Sequence, residues 1–248
     1  MRTSLLPYFS APEIRLGALR LSTQSVCMVG AVLLGYALAL RRAGKLVIES
    51  RTIGEQYVWA VACAVVCGNL APLLLSPHAG WRQGAVALGG LWGAFLGSAA
   101  WMRLRRLSLT EALRRMDLFA YIAPFAWILA RLGCALAHDH LGIRSHSFLA
   151  VAFPGGPRYD LGLLEMLLSI GVTALFALLG RHRQPRGLYL GLWGLLYGAF
   201  RLAIEPLRAQ STPALTLFDR IASTAVVLTA LSVLAYAALS RRHGAARL

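Results

Sequence analysis

Seven long apolar stretches restrict this chain to the few architectures that lipid permits. They run over Leu21–Leu40, Tyr57–Leu75, Gly84–Met102, Leu118–Ala137, Leu161–Leu179, Leu188–Ile204 and Leu217–Leu239. A bilayer core takes about 20 mostly apolar residues per helix, and backbone groups in lipid must bond internally. Only 14% of the 248 residues are charged, against about 25% in a soluble domain. The expectation is an all-α integral membrane protein of about seven transmembrane helices, with an N-terminal interfacial arm and small outer loops. No internal repeat or composition break divides it, so residues 1–248 read as one domain. No cleavable signal peptide is evident before Leu21.

The connections alternate in charge. Arg41, Arg42, Lys45 and Arg51 follow the first stretch, and Arg103, Arg105, Arg106, Arg114 and Arg115 follow the third. Arg181, Arg183 and Arg186 follow the fifth, and Arg241, Arg242 and Arg247 follow the seventh. The remaining connections are poorer in arginine. The positive-inside rule then places the N-terminus in the periplasm and the C-terminus in the cytoplasm of a bacterial inner membrane. The formal net charge of +15 sits in these short blocks and meets anionic headgroups; no nucleic-acid partner is expected. The segment before Leu21 carries Leu5, Leu6, Tyr8, Phe9, Ile14 and Leu16 among Pro7, Pro12 and Glu13, the pattern of an arm on the outer leaflet. In the longest outer loop, Ser147–Phe153 reads as a short extended segment before the turns of Pro154-Gly155-Gly156-Pro157. Cys63 and Cys67 fall on one helix face and read as packing residues.

Charges inside apolar stretches carry the functional signal. Arg131 stands within the fourth stretch, where an arginine costs from ~3 to more than 10 kcal/mol. Arg201 and Glu205 lie four residues apart at the outer end of the sixth, a spacing that allows a local salt bridge. Arg208 follows, and Glu165 lies one turn into the fifth. All fall in the outer half of the membrane under this topology. Arginine's planar fork suits phosphate oxygens, and a phospholipid headgroup is the phosphate available at that depth. The paired glycines Gly89 and Gly90 allow close helix packing or the approach of a ligand to the backbone.

On these residues the chain resembles the prolipoprotein diacylglyceryl transferase family. Tyr197-Gly198-Ala199-Phe200-Arg201-Leu202-Ala203-Ile204-Glu205 with Arg208 meets the family's sixth-span pattern in full. Arg131, Gly133 and Gly142 meet the motif around its catalytic arginine, with Asp139 where the family has glutamate. Cys134 and Ala137 stand where the family has asparagines, and Leu88 stands where it has a histidine before Gly89-Gly90. The resemblance implies transfer of the diacylglyceryl group of phosphatidylglycerol to the lipobox cysteine thiol of a prolipoprotein. Glycerol-1-phosphate is released, at the outer face. It implies catalytic roles for Arg131, Arg201 and Glu205. Substrate binding would involve Gly89, Gly90, Asp139, Gly142, Glu165, Tyr197 and Arg208. An acceptor other than a prolipoprotein, or a non-catalytic lipid-binding protein of the same fold, are the alternatives.

The cluster His138-Asp139-His140 lies two turns beyond Arg131. An imidazole with a pKa of ~6.5 suits thiol deprotonation near neutral pH, so His138 or His140 is a candidate base replacing the function lost at Leu88. Solvated loop residues are one alternative, and a metal site of Cys134, His138 and His140 is another. No cofactor and no resident metal are expected.

Overall fold

The computed structural model describes residues 6–9, 14–16, 19–75, 87–209 and 212–245. Pro12 and Glu13 of the arm, and Gly84 at the start of the third apolar stretch, lie outside them. Seven α-helices stand among the described residues: α1 (Thr23–Lys45), α2 (Ser50–Leu75), α3 (Ala87–Leu104), α4 (Leu109–Ala137), α5 (Leu161–Leu179), α6 (Leu188–Ile204) and α7 (Pro213–Ala245). Each covers one of the apolar stretches. Five of them, α1, α2, α4, α5 and α7, are long and apolar enough to cross a membrane. The glycine-rich α3, of 18 residues, and α6, of 17, fall short of that standard.

Local chemistry sets the helix ends. Ser108 accepts from the Glu111 amide at 3.3 Å to start α4, with the acidic residue three positions on that favours a helix N-terminus. Ser22 does the same for α1 through the Ser25 amide at 3.1 Å, and Asp160 caps α5 through the Leu163 amide at 3.1 Å. The start of α6 is capped from another helix. Asp117 of α4 accepts from the amides of Gly187, at 2.5 Å, and Leu190, at 2.9 Å. Gly187 has φ +90° there, a conformation open to glycine.

The helices pack as α2 on α3, α1 on α4, α4 on α5 and α6 on α7, with α6 also against α4. Small residues make these approaches possible. A Cβ on Gly97 would stand 2.7 Å from the Cys63 Cβ, so Cys63 and Cys67 are packing residues between α2 and α3. The core joins Ala120, Val172, Phe176, Tyr189, Trp193 and Tyr197. The outside of the bundle is apolar too: Leu33, Val58, Leu96, Leu178 and Leu228 are all more than half exposed. Large side chains of this kind turned outward on five helices fit lipid as solvent.

One end of the bundle is closed by short strands. β1 (Leu6–Pro7), β4 (Leu141–Arg144), β5 (Val151–Ala152) and β6 (Arg158–Asp160) form a sheet in the order β1-β5-β6-β4. The arm joins it: Leu6 and Pro7 pair in parallel with Val151 and Ala152. A separate hairpin pairs β2 (Ile14–Leu16) with β3 (Leu19–Leu21). Within Ser147–Phe153 only Val151–Ala152 is a strand. The C-terminal ends of α4 and α6 and the N-terminal ends of α1, α5 and α7 meet beneath this cap.

Candidate active site

Beneath the cap, four helices direct charged side chains at one another. Glu165 of α5 is fully buried and is the hub. Its Oε2 stands 2.8 Å from the Arg131 Nη2 of α4, and its Oε1 accepts from the Arg201 Nη1 of α6 at 2.7 Å. The Tyr197 hydroxyl donates to Glu165 Oε2 at 3.0 Å and accepts from Arg131 Nη2 at 3.3 Å. The other arm of Arg201 reaches Asp219 of α7 at 2.7 Å. Arg208 lies 3.5 Å from the same Asp219 oxygen and 3.6 Å from Glu205 Oε2.

The backbone contacts that permit this network are close. A Cβ on Gly162 would stand 3.0 Å from the Cys134 Cβ, where α5 crosses α4 one turn from Glu165 and Arg131. A Cβ on Gly198 would stand 2.9 Å from Val227, where α6 meets α7 below Arg201 and Asp219. Side chains larger than glycine would part the helices and pull the charges out of range.

Three arginines face three carboxylates here, and Arg131, Arg201, Glu165, Glu205 and Asp219 are all buried. Buried charges survive only when paired and hydrogen-bonded, and the network balances formally. It is not saturated. The Nε atoms of Arg131, Arg201 and Arg208 have no hydrogen-bond partner among the described residues. Arg208, with a side chain 20% exposed, is its most open member.

The expected four-residue pair of Arg201 and Glu205 is replaced. The end of α6 tightens into a single 3-10 turn at Glu205–Leu207, and Arg201 points across to α5 and α7. Asp219, the partner of both Arg201 and Arg208, went unmarked in the sequence. An acid in the first turns of α7, in a chain with arginines at the same depth, is the signal that points to it.

Next to Arg131 lies a second group. Arg131 Nη1 is 3.7 Å from the sulfur of buried Cys134. Gln24 of α1 donates to Asp139 and stands 3.9 Å from the same sulfur. Gly133 allows that approach, since its Cβ would be 2.8 Å from Cys27. Asp139 lies 3.6 Å from His140 Nδ1. Donor atoms of Cys134, Asp139 and His140 all fall within 4.8 Å of one another. Burial, with the Arg131 guanidinium nearby, holds the His140 imidazole below its ordinary pKa.

His138 belongs elsewhere. It takes the left-handed conformation that ends α4, with φ 51°. Its Nδ1 is 2.6 Å from Asp160 and its Nε2 2.8 Å from the Phe9 carbonyl, while Tyr8 stacks on the ring at 4.8 Å. A nitrogen facing a carbonyl must carry a proton, and the other is taken by Asp160, whose carboxyl burial raises. His138 therefore ties the arm to the bundle, and it is His140 that lies by Arg131.

The other sequence candidates divide. Tyr197, Glu165 and Arg208 are in the charge network. Gly142 bridges to Arg208 by backbone pairing; a Cβ there would meet Tyr159 at 2.7 Å. Gly89 and Gly90 lie on α3; Gly89 is buried, and a Cβ on Gly90 would meet the Ala64 carbonyl of α2 at 3.6 Å. Leu88 is fully buried in the aromatic core with Trp193 and Tyr197, so that position holds packing in place of a polar group.

Residues 13–240 match the family model for prolipoprotein diacylglyceryl transferase. The chain belongs to this family. It is an enzyme, a transferase of lipoprotein biosynthesis. Among its relatives is a phosphatidylglycerol–prolipoprotein diacylglyceryl transferase of Nitratidesulfovibrio vulgaris, 27% identical over 220 residues that cover 82% of each chain. One of the same name from Frankia alni is 30% identical over 230 residues, 83% of this chain and 60% of the longer relative. The Xylella fastidiosa protein is 29% identical over 162 residues, about half of each chain.

Proposed function

We propose that this chain transfers the diacylglyceryl group of phosphatidylglycerol to the lipobox cysteine thiol of a prolipoprotein, at the outer face of a bacterial inner membrane. The observation that carries the reading is the pair of buried guanidiniums, Arg131 and Arg201, held by one carboxylate under the strand cap. The donor phosphate must leave as negative charge grows on the bridging oxygen, and fixed cations in a dry site stabilise that charge without reorganising. Arg131 and Arg201 carry that role, Glu165 and Asp219 orient them, and Arg208, steadied by Glu205, meets the headgroup at the open edge. All seven helices would span the bilayer, with the N-terminus and the strand cap outside and the arginine-rich connections inside. The acceptor thiol loses its proton beside Arg131, where Cys134, Asp139 and His140 gather.

A membrane assay with labelled phosphatidylglycerol and a lipobox peptide tests the reading directly. The parent chain labels the peptide, and Arg131→Ala at matched protein level does not. Normal transfer by Arg131→Ala would remove the site assignment. A second reading keeps fold and donor but changes the acceptor; it rests on Cys134 standing beside the arginine. Growth of a strain depleted of its own transferase, rescued by this chain, supports the prolipoprotein. Transfer to another thiol without rescue supports the second.

A further inference from the structure

The transfer needs a thiolate, and among the described residues the imidazole beside Arg131 is that of His140, whose Nδ1 lies 3.6 Å from the Asp139 carboxylate, beyond hydrogen-bond length. His138 is engaged at both nitrogens, and Leu88 is packed in the core. What lies beside Arg131 is a sulfur, a carboxylate and an imidazole from one short segment.

We propose that Cys134, Asp139 and His140 bind one zinc-class divalent ion with an open fourth position, and that this position takes the acceptor thiol. Their donor atoms lie within 4.8 Å of one another. In a tetrahedral zinc site, with bonds of about 2.0–2.3 Å, such atoms sit roughly 3.3–3.6 Å apart. Side-chain rotation closes that difference, because Asp139 and His140 lie past the end of α4 and are partly exposed. Cysteine, histidine and one carboxylate form a donor set that suits zinc, and three protein ligands with one open position mark a catalytic site.

Charge supports the assignment. A thiolate and a carboxylate balance a dication, and the cation of Arg131 is already answered by Glu165 at 2.8 Å. Gln24 supplies the outer support that metal ligands require, touching both Cys134 and Asp139. The sulfur is buried while the carboxylate and imidazole are partly exposed, so the cluster is reached from their side.

The chemistry balances without a redox partner. On coordination the acceptor S–H gives its proton to water, and the sulfur becomes a metal-bound thiolate. A sulfur electron pair attacks the glyceryl carbon that bears the phosphate. The C–O bond breaks, and its electron pair leaves on glycerol phosphate beside Arg131. This role for the ion rests on the transferase reading; binding of the ion does not.

The test uses the purified full chain in detergent. After incubation with zinc and gel filtration, mass spectrometry should find about one zinc per chain, and Cys134→Ser or His140→Ala should lose at least tenfold in affinity, a margin typical of lost support at a metal site. Cobalt in place of zinc should give a thiolate-to-metal absorption band that strengthens when a lipobox peptide is added and is absent in Cys134→Ser. His146→Ala, outside the cluster, controls for handling, and gel-filtration profiles exclude misfolded variants. Sub-stoichiometric zinc in the parent chain, or zinc kept by the Cys134→Ser/His140→Ala double variant, overturns the proposal. A metal-stripped chain that still transfers lipid at the full rate overturns the ion's role while leaving the transferase reading intact. A zinc-loaded chain that labels no peptide overturns the transferase reading while leaving the metal site intact.

Discussion

Replacing Glu165 with glutamine takes one negative charge from between two buried guanidiniums and leaves the shape unchanged. In the structure Glu165 is fully buried and serves three donors: Arg131 at 2.8 Å, Arg201 at 2.7 Å and Tyr197 at 3.0 Å. Removing one member of a buried ion pair costs about 3–5 kcal/mol, because the partner is left charged in a poor solvent. Two cations share this carboxylate, so Glu165→Gln should fall at the upper end of that range, near ~5 kcal/mol. The amide oxygen keeps one acceptor, while its NH2 confronts a second donor. Reversible unfolding in mixed micelles measures the loss, and labelled phosphatidylglycerol measures activity, which should be nearly abolished. A second change sharpens the reasoning. Glu165→Gln with Arg201→Met restores the charge balance of the network, so the double variant should recover about 1–3 kcal/mol relative to additivity. A single variant within about 0.5 kcal/mol of the parent, the scale of a neutral surface change, would refute the account, as would strict additivity.

Asp219→Asn should weaken the hold on Arg201 and Arg208 together, cutting transfer strongly while costing less stability than Glu165→Gln; unchanged transfer would remove Asp219 from the site. Arg131→Lys should fail as Arg131→Ala does, since a single ammonium cannot reach Glu165 and Cys134 at once as the two Nη arms of Arg131 do; the labelled-lipid assay decides it. Asp117→Ala should cost about 1–2 kcal/mol through the uncapped start of α6, seen as reduced stability in the micelle titration with the headgroup site intact. A single cysteine at Thr110, on a cysteine-free background, should resist an impermeant reagent added to intact cells, and rapid labelling there would invert the proposed topology.

The helices were legible in the sequence because lipid demands long apolar runs and nothing else in the chain resembles them. Each of the seven helices lies on an apolar stretch, and Arg131 stood out because a cation in such a run is costly. The motif residues Tyr197, Arg201 and Arg208 pointed to the family that the match over residues 13–240 establishes. Pairing was a different matter, since it depends on which faces of distant helices meet. The spacing of Arg201 and Glu205 allowed a local bridge, but α5 and α7 offered Arg201 two carboxylates at 2.7 Å, and these desolvated contacts prevail. The same holds for the two histidines. In sequence His138 and His140 are interchangeable, two residues apart at a helix end. The left-handed turn at His138 sends its ring to Asp160 and the arm, and leaves His140 beside Cys134. Periodicity and charge reveal what must be buried and where the membrane lies. Only the crossing of α1, α4, α5, α6 and α7, set by small residues such as Gly133, Gly162 and Gly198, decides which charges become partners.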